Sequence, residues 1–339
     1  MPQPLNLPIL VCGGAGYIGA HMCKHLARAG YRPVTFDNLS TGHRHAVRWG
    51  PLEVGDLLDP DALDAVFKRH RFAAVMHFAA RALVGESMRE PAAYLRTNVT
   101  GTLNLLDAMH RAHVTQLVFS STCAVYGHPH DSPMDETHPT QPISPYGLSK
   151  WMAEQQIQAY VQAYGLGAVC LRYFNAAGAD HEGDIGELHV PETHLIPNII
   201  EAALNPAAGP VSIFGDDYDT PDGTCVRDYI HVEDLCAAHL AALRFLSNHA
   251  GHHVFNLGTG VGYSVAQVLA QCRHAYGGVP ATVVHPRRPG DPAALVASAD
   301  KAREQLGWQP RYDLQDIIRT ALGWHQRRGA GADRSPRTS

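Results

Sequence analysis

Tyr146 and Lys150 stand four residues apart in SPYGLSK, just behind Ser144 and Pro145. Serine suits a helix N-cap and proline the first helical position, so the two side chains share one helix face. A free tyrosine, with a pKa near about 10, is a poor base at neutral pH. A neighbouring ammonium and a bound cation would both stabilise phenolate and lower that value. Thr122, in FSSTCAVYG, follows an apolar run and carries a hydroxyl that can meet a substrate hydroxyl. Taken singly, the pair also reads as a solvated helix face, and Thr122 as an ordinary strand-end hydroxyl.

An upstream segment tips the balance. VCGGAGYIGAHM places Gly13, Gly16 and Gly19 directly after a strand-like run and at the opening of a helix. Such a turn aims backbone N–H groups and the positive end of a helix dipole at a pyrophosphate. A glycine triplet alone can be merely a tight turn. Here an acidic residue, Asp37, ends the next strand, as the dinucleotide-binding pattern requires. Asp37 can accept hydrogen bonds from a ribose 2′-hydroxyl, and its charge opposes a 2′-phosphate. That favours NAD over NADP, although His43 and Arg44 nearby soften the exclusion. Asp56, in EVGDLLD, ends a further strand and is either a partner for the adenine amino group or a helix cap.

These residues need a scaffold, and the chain spells one out. Strand-like runs PILVC (8–12), RPVTFD (32–37), AAVMHFA (73–79), QLVFSS (116–121) and GAVCLRYF (167–174) alternate with helical patterns at 17–30, 91–112 and 145–164. Nearly continuous apolar strands separated by helices predict an α/β fold, a Rossmann-type doubly wound parallel sheet. After Asn175 the pattern breaks into two polar, glycine-rich stretches, AAGADHEGDIGELHVPE and FGDDYDTPDGTCVRDY. Long irregular segments of this kind are often functional. The helical VEDLCAAHLAALRFL and the strand-like HVFNLG then return to the main sheet. The expected division is a dinucleotide-binding domain at 1–175 with returning segments near 228–258. A smaller mixed α/β substrate domain spans 176–327, and 328–339 form a disordered tail.

Composition narrows the class. The 339 residues are 45% apolar and 17% charged, with a formal net charge of −5. That describes a folded chain with ample core, and no basic block suggests a nucleic-acid partner. No apolar run reaches the roughly eighteen residues of a membrane span, and the N-terminus shows no basic, cleavable leader. Seven cysteines, an odd set without a Cys-x-x-Cys pair, suggest a reducing compartment, the cytoplasm. Among 22 histidines no spacing marks a metal site, so no metal is expected.

Together, Gly13-x-x-Gly16-x-x-Gly19, Thr122 and Tyr146-x-x-x-Lys150 resemble the extended short-chain dehydrogenase/reductases. GGAGYIGAH, FDNLSTGHR, MHFAARALVGES, LRYFNAAGA, PETHLIP, GTCVRDYIHVEDL, FNLGTG and PRRPGD, in that order, narrow the resemblance to the UDP-glucose 4-epimerase family over about 9–324. The resemblance implies reversible oxidation at the sugar C4 with a retained, tightly bound NAD. Tyr146 would be the base, Lys150 would hold the nicotinamide ribose and depress the tyrosine pKa, and Thr122 would bond the reacting hydroxyl. By the same resemblance, NAD would contact Tyr17, Ile18, Asp37, Asn38, Leu39, Ser40, Thr41, Gly42, Asp56, Leu57, Phe78, Ala79, Ala80, Asn98 and Phe174, besides the glycines. The UDP-sugar would meet Asn175, His194, Leu195, Phe214, Arg227, Arg288, Asp291 and Leu295. Planar guanidinium groups suit a diphosphate, although an arginine is as often a surface ion-pair partner. Segments 91–112 and 145–164 would pair across a homodimer as a four-helix bundle.

The chain departs from the family pattern at several points. Thr122 replaces the serine of some members and keeps the hydroxyl. Ala82 stands where some carry lysine, leaving Arg81 beside it as a substitute. His194 stands in place of asparagine, and Leu295 should disfavour N-acetylated sugars. A nucleotide-sugar 4,6-dehydratase would need an acid and a base after the threonine, but Cys123 and Ala124 follow it. A 4-epimerase of a UDP-uronate, UDP-pentose or UDP-N-acetylhexosamine survives as an alternative. So does a non-catalytic NAD-binding regulator, although this chain retains both tyrosine and lysine.

Overall fold

The computed structural model describes residues 7–276, 278 and 280–332. In the first half, strands β1 (Ile9–Cys12), β2 (Pro33–Asp37), β3 (Leu52–Val54), β4 (Ala74–His77), β5 (Gln116–Ser120) and β6 (Gly167–Tyr173) alternate with helices. These are α1 (Tyr17–Arg28), α2 (Pro60–Arg69), α3 (Val84–Ser87), α4 (Pro91–Tyr94), α5 (Gly101–Arg111) and α6 (Pro145–Tyr164). The second half adds β7 (Asn175–Ala177), α7 (Leu195–Leu204), β8 (Val211–Phe214), β9 (Val226–His231), α8 (Val232–Leu246) and β10 (His252–Leu257). It ends with β11 (Gly262–Ser264), α9 (Val265–Tyr276), β12 (Thr282–His285), β13 (Ala294–Leu295), α10 (Asp300–Leu306) and α11 (Leu314–Ala332).

Seven strands form one parallel sheet in the order β3-β2-β1-β4-β5-β6-β10. Successive side chains on a strand face opposite ways, and the sequence satisfies both faces. Ile9 and Val11, Met76, Val118, Val169 and Leu171 pack on one face with α1 and α8. Leu10 and Cys12, Val75, Leu117, Phe119 and Cys170 pack on the other with α2, α5 and α6. Each such apolar side chain withdrawn from water contributes about 1.5–3 kcal/mol, which is why the strands read as unbroken apolar runs. The expected doubly wound fold is the one observed.

The strand order reverses between β1 and β4, so their C-terminal ends diverge and leave a crevice, the usual ligand position in such sheets. Next to it, β9 pairs with β7, β11 and β13, while β8 pairs with β12. Helices α7, α9 and α11 close a second core on β9 through Ile199, Ile200, Tyr229, Val268 and Ile317. Two of the stretches read as irregular thus begin or end in short strands, Asn175–Ala177 and Val226–His231. The three-residue strand Asn175–Ala177 lacks the length to show a period.

Segment 91–112 was expected as one helix. It is interrupted by a π-helical turn at Leu95–Thr100 between α4 and α5. At the other end of the chain, α11 continues to Ala332. Residues 328–332 of the expected tail are therefore helical, and 333–339 lie outside the described residues. No helix among the described residues is long and apolar enough to cross a membrane.

Candidate active site

The turn after β1 is built by close approaches that side chains would block. Gly13 has φ +79°, and a Cβ there would sit 2.6 Å from the amide nitrogen of Ala79 at the end of β4. A Cβ on Gly19 would lie 2.1 Å from the carbonyl oxygen of Gly13. Gly16 caps α1 with no side chain in the way and donates its N–H to the Gly13 carbonyl at 3.2 Å. This narrow cradle at a helix N-terminus fits a pyrophosphate. Gly19→Ala is accordingly expected to distort the turn and weaken dinucleotide retention by at least about tenfold, the scale of an overpacking cost. The measurement is the NAD released per chain on acid denaturation; wild-type content would refute the assignment.

Asp37 is buried at the end of β2, where one carboxylate oxygen accepts from Ala15 N at 3.0 Å and the other from Leu39 N at 2.8 Å. Burial raises its pKa, and the two N–H donors oppose that rise. The chain then turns through Leu39, held at φ +59°, with Asn38, Ser40 and Thr41 exposed and Gly42 half-buried beside Ala15 and Asp37. Asp56 caps no helix: it accepts from Leu58 N and from the Asn38 amide, both at 2.8 Å, while Asp59 caps α2. Leu57 is buried behind it. Carboxylates and an amide at the mouth of β2 and β3 suit a ribose and adenine. The donors and shape fit a dinucleotide without a 2′-phosphate.

On the far side of the crevice, Phe78, Ala79 and Ala80 follow β4, and Phe78 stacks against His239 with ring centroids 4.8 Å apart. Asn98, expected as a cofactor contact, lies in the π-turn with both amide N–H groups engaged. Its oxygen accepts from Arg81 N at 2.8 Å, and its nitrogen donates to Arg81 O at 3.0 Å and Ser149 Oγ at 2.9 Å. Ser149 in turn donates to the Tyr146 carbonyl at 2.8 Å. Asn98 therefore clasps the loop after β4 to the helix bearing Tyr146. Widened turns of this kind are frequent at functional sites. The guanidinium of Arg81 is held by Glu86 at 3.0 Å and lies over Tyr94 at 6.0 Å.

Thr122, Tyr146 and Lys150 come together as expected, all buried. Thr122 leaves β5 and caps the short turn Cys123–Val125, accepting from Ala124 N at 3.1 Å. Ser144 caps α6 through Gly147 N at 3.1 Å, with Pro145 at its first turn. Lys150 donates to the Ser120 carbonyl at 2.8 Å and lies over the Phe119 ring at 4.8 Å. Burial pulls its pKa down to about 7, against the charge of Glu154. Burial drives Tyr146 the other way, well above its ordinary value, with Tyr173 adding to the rise and a hydrogen bond with Thr122 opposing it. Desolvation is thus the largest influence on the phenol within the protein.

On the other wall, Arg227 of β9 is buried with its guanidinium 3.6 Å from Asp291, and Arg288 lies 3.8 Å over the Phe214 ring. Leu295 pairs with Arg227 in register and packs in one cluster with Cys123 and Phe174. That cluster connects the strand carrying Arg227 to the turn that follows Thr122. Asn175 opens β7, His194 caps α7 and Leu195 is its first residue. The His194 Nδ1 lies 2.5 Å from Glu187 Oε1. Burial alone would lower its pKa, but Glu187 and Glu192 raise it to about 9.

Some supporting residues escaped the sequence reading. Glu154, one turn beyond Lys150, is buried in a two-pronged pair with Arg172 at 3.0 and 2.6 Å and also accepts from Ser121 Oγ. Tyr173 and Ser120 share a hydrogen bond of 2.7 Å under the site. Tyr17, which the sequence did single out as a cofactor contact, donates to Gly178 O at 2.7 Å, joining α1 to the loop after β7. A glutamate four residues after a catalytic-type lysine is the one hint the sequence held.

Residues 9–258 match the family described as NAD dependent epimerase/dehydratase. The chain is 52% identical to a UDP-glucose 4-epimerase of Rhizobium leguminosarum bv. trifolii over 94% of this chain and 97% of that one. Among solved structures, it resembles UDP-glucose 4-epimerase from Brucella ovis in complex with NAD, with TM-score 0.90 and 48% identity over 94% and 98% of the two chains. It also resembles the Bifidobacterium longum enzyme in complex with NAD+ and UDP, with TM-score 0.92 and 37% identity over 96% and 99%.

Proposed function

Because the chain belongs to the NAD dependent epimerase/dehydratase family, we propose that it interconverts UDP-galactose and UDP-glucose by reversible oxidation at the sugar C4. The observation that carries this reading is the burial of Thr122 and Tyr146, hydrogen-bonded to each other, with Lys150 one turn further along α6. NAD held by the Gly13 turn and Asp37 would supply a reversible hydride acceptor and a positive charge. Tyr146 then takes the proton of the 4-hydroxyl and returns it after the ketone has turned over. Thr122 orients that hydroxyl, and Lys150 holds the ribose side of the cofactor. Arg227 and Arg288 clamp the diphosphate, with Asp291 toward the uridine ribose, Phe214 beneath Arg288, and Asn175, His194 and Leu195 on the remaining wall. Since one turnover leaves no net oxidation, a cofactor retained through the cycle avoids stranding the ketone.

Residues 1–175 with 228–258 serve the NAD, and 176–327 mainly the UDP-sugar. The free state of all seven cysteines supports a reducing compartment, the cytoplasm; recovery of the protein only outside the cytosol would sink that. Leu103 on α5 and Leu148 and Met152 on α6 are exposed apolar residues. They support pairing of these helices with a second copy as a four-helix bundle, and a monomeric mass by light scattering at micromolar concentration would refute it.

The direct test is an anomeric-proton NMR time course with UDP-galactose and no added NAD. UDP-glucose should grow to a fixed ratio; no change after NAD is supplied would overturn the proposal. Leu295→Gly is expected to raise kcat/KM for UDP-N-acetylglucosamine by roughly tenfold or more, since one side chain's bulk decides discrimination on this scale. An unchanged ratio to UDP-glucose would show that Leu295 does not size the pocket.

A further inference from the structure

Two clusters of acidic and basic side chains lie on the loop between β7 and α7, and they differ in one respect. Asp180, Glu182 and Asp184 surround Lys24, whose Nζ lies 2.7, 2.9 and 2.7 Å from them. Their cation is supplied by the chain itself. Glu187, His189, Glu192 and His194 form the other cluster, with one ligand-type atom from each within 4.8 Å of the rest. Among the described residues, no lysine or arginine pairs with Glu187 or Glu192; their partners within 4 Å are the two imidazoles.

Three of the four imidazole–carboxylate distances in this cluster suit a shared ion better than direct hydrogen bonds, and the fourth, His194 Nδ1 to Glu187 at 2.5 Å, is a hydrogen bond that an ion would have to open. His189 Nδ1 lies 3.5 Å from Glu187 and 3.6 Å from Glu192, and His194 Nδ1 lies 3.6 Å from Glu192. Ligands at roughly 2.0–2.1 Å from a tetrahedral ion are separated by about 3.3 Å. The Nδ1 of His189 is buried and has no hydrogen-bond partner. Glu187, only 4% exposed, is a buried carboxylate whose compensating charge comes from the His194 imidazole alone among its close partners, with His189 farther off. Glu192 is already oriented, because its Oε1 accepts the N–H groups of Thr193 at 2.8 Å and His194 at 2.9 Å. Such outer hydrogen bonds fix a ligand for its metal.

We infer that Glu187, His189, Glu192 and His194 form a binding site for one divalent transition-metal cation of the zinc type. Two imidazole nitrogens with two carboxylate oxygens favour zinc over magnesium or calcium. Binding displaces the proton that His194 Nδ1 shares with Glu187, so the ion replaces a hydrogen bond rather than adding to it. The site fastens the segment that carries His194 and Leu195 to α7. That segment also meets the dinucleotide side, where His43 Nε2 lies 3.2 Å from the Leu188 carbonyl. The ion is therefore structural, a clasp on the loop, with no part in the proton transfer.

The test uses the full chain, stripped with a chelator and titrated with zinc chloride against a chromogenic competitor. His189→Gln/Glu192→Gln is the comparison, because neither residue is assigned to cofactor or substrate. One equivalent is expected to bind with an apparent Kd below about 1 µM, and at least about a hundredfold more weakly in the double variant. Zinc should raise the melting temperature of the wild type, and magnesium at the same concentration should not. Binding of equal strength in the variant would assign the metal elsewhere among the chain's 22 histidines, and would overturn the proposal. So would the absence of a stoichiometric site in the wild type. If the double variant fails to fold, His189→Gln alone and the wild-type melting shift decide. Turnover enters none of these readings, so the epimerase assignment stands or falls separately.

Discussion

Tyr146→Phe is expected to lower kcat for UDP-galactose by about a thousandfold, within the span that a positioned proton carrier contributes. The substitution removes only the hydroxyl. The phenyl ring keeps its edge-on contact with Tyr94, at 6.4 Å between centroids, and the backbone carbonyl keeps its bond to Ser149. NAD content and KM should therefore change little, because the loss falls on the step in which the 4-hydroxyl proton moves. The wild-type rate should also fall as pH drops, since a protonated phenol cannot act as base. Burial holds that phenol well above its ordinary pKa, and a cationic cofactor beside it would oppose that rise. A variant retaining a tenth or more of the activity would reject Tyr146 as the base. Loss of NAD from the variant would instead mark the hydroxyl as a binding group.

Glu154→Ala is expected to cost about 3–5 kcal/mol of stability, the penalty of leaving one member of a buried ion pair alone. Arg172, only 7% exposed, would lose both bonds to Glu154 and retain the Tyr126 ring at 4.9 Å. Ser121, the residue before Thr122, would lose its acceptor as well. The carboxylate also supports the charge of Lys150, so the lysine in the variant should be held still further toward its neutral form. Thermal unfolding measures the first effect. Glu154→Met/Arg172→Met should recover much of it, because an apolar pair leaves no stranded charge. A single-variant melting temperature within about 2 °C of wild type would refute the assignment, since 1 kcal/mol alone moves it about that far.

What the residues disclosed beforehand was whatever depends on local spacing. The sheet strands showed as short apolar runs because both faces are covered, and the glycine turn showed because only glycine permits its contacts. Ser144 and Pro145 set the start of α6 within one residue of its observed place. What escaped depends on contacts distant in sequence. The π-turn at Leu95–Thr100 breaks a helical period that looked continuous, and Asn98 within it proved to be a clasp. Glu154 and Arg172 lie 18 residues apart on different elements, so no motif joins them. The phenol's raised pKa follows from burial, which spacing does not report. Glu187, His189, Glu192 and His194 sit in an irregular loop whose spacing matches no helical or finger pattern.

The seventh strand has a consequence for biosynthesis. β10 completes the sheet beside β6, yet its residues emerge from the ribosome some eighty positions later, after the intervening wall has been made. Until then the edge of β6 is open, and Val169 and Leu171 lack the cover supplied by α8 through Leu235, Leu243 and Leu246. A nascent chain arrested near residue 225 would display an unpaired strand edge and a bare apolar face together, the features that invite aggregation. The seven-stranded sheet cannot be completed before the segment between β6 and β10 has been made. This places the chain's greatest need for chaperone protection between the synthesis of β6 and that of β10.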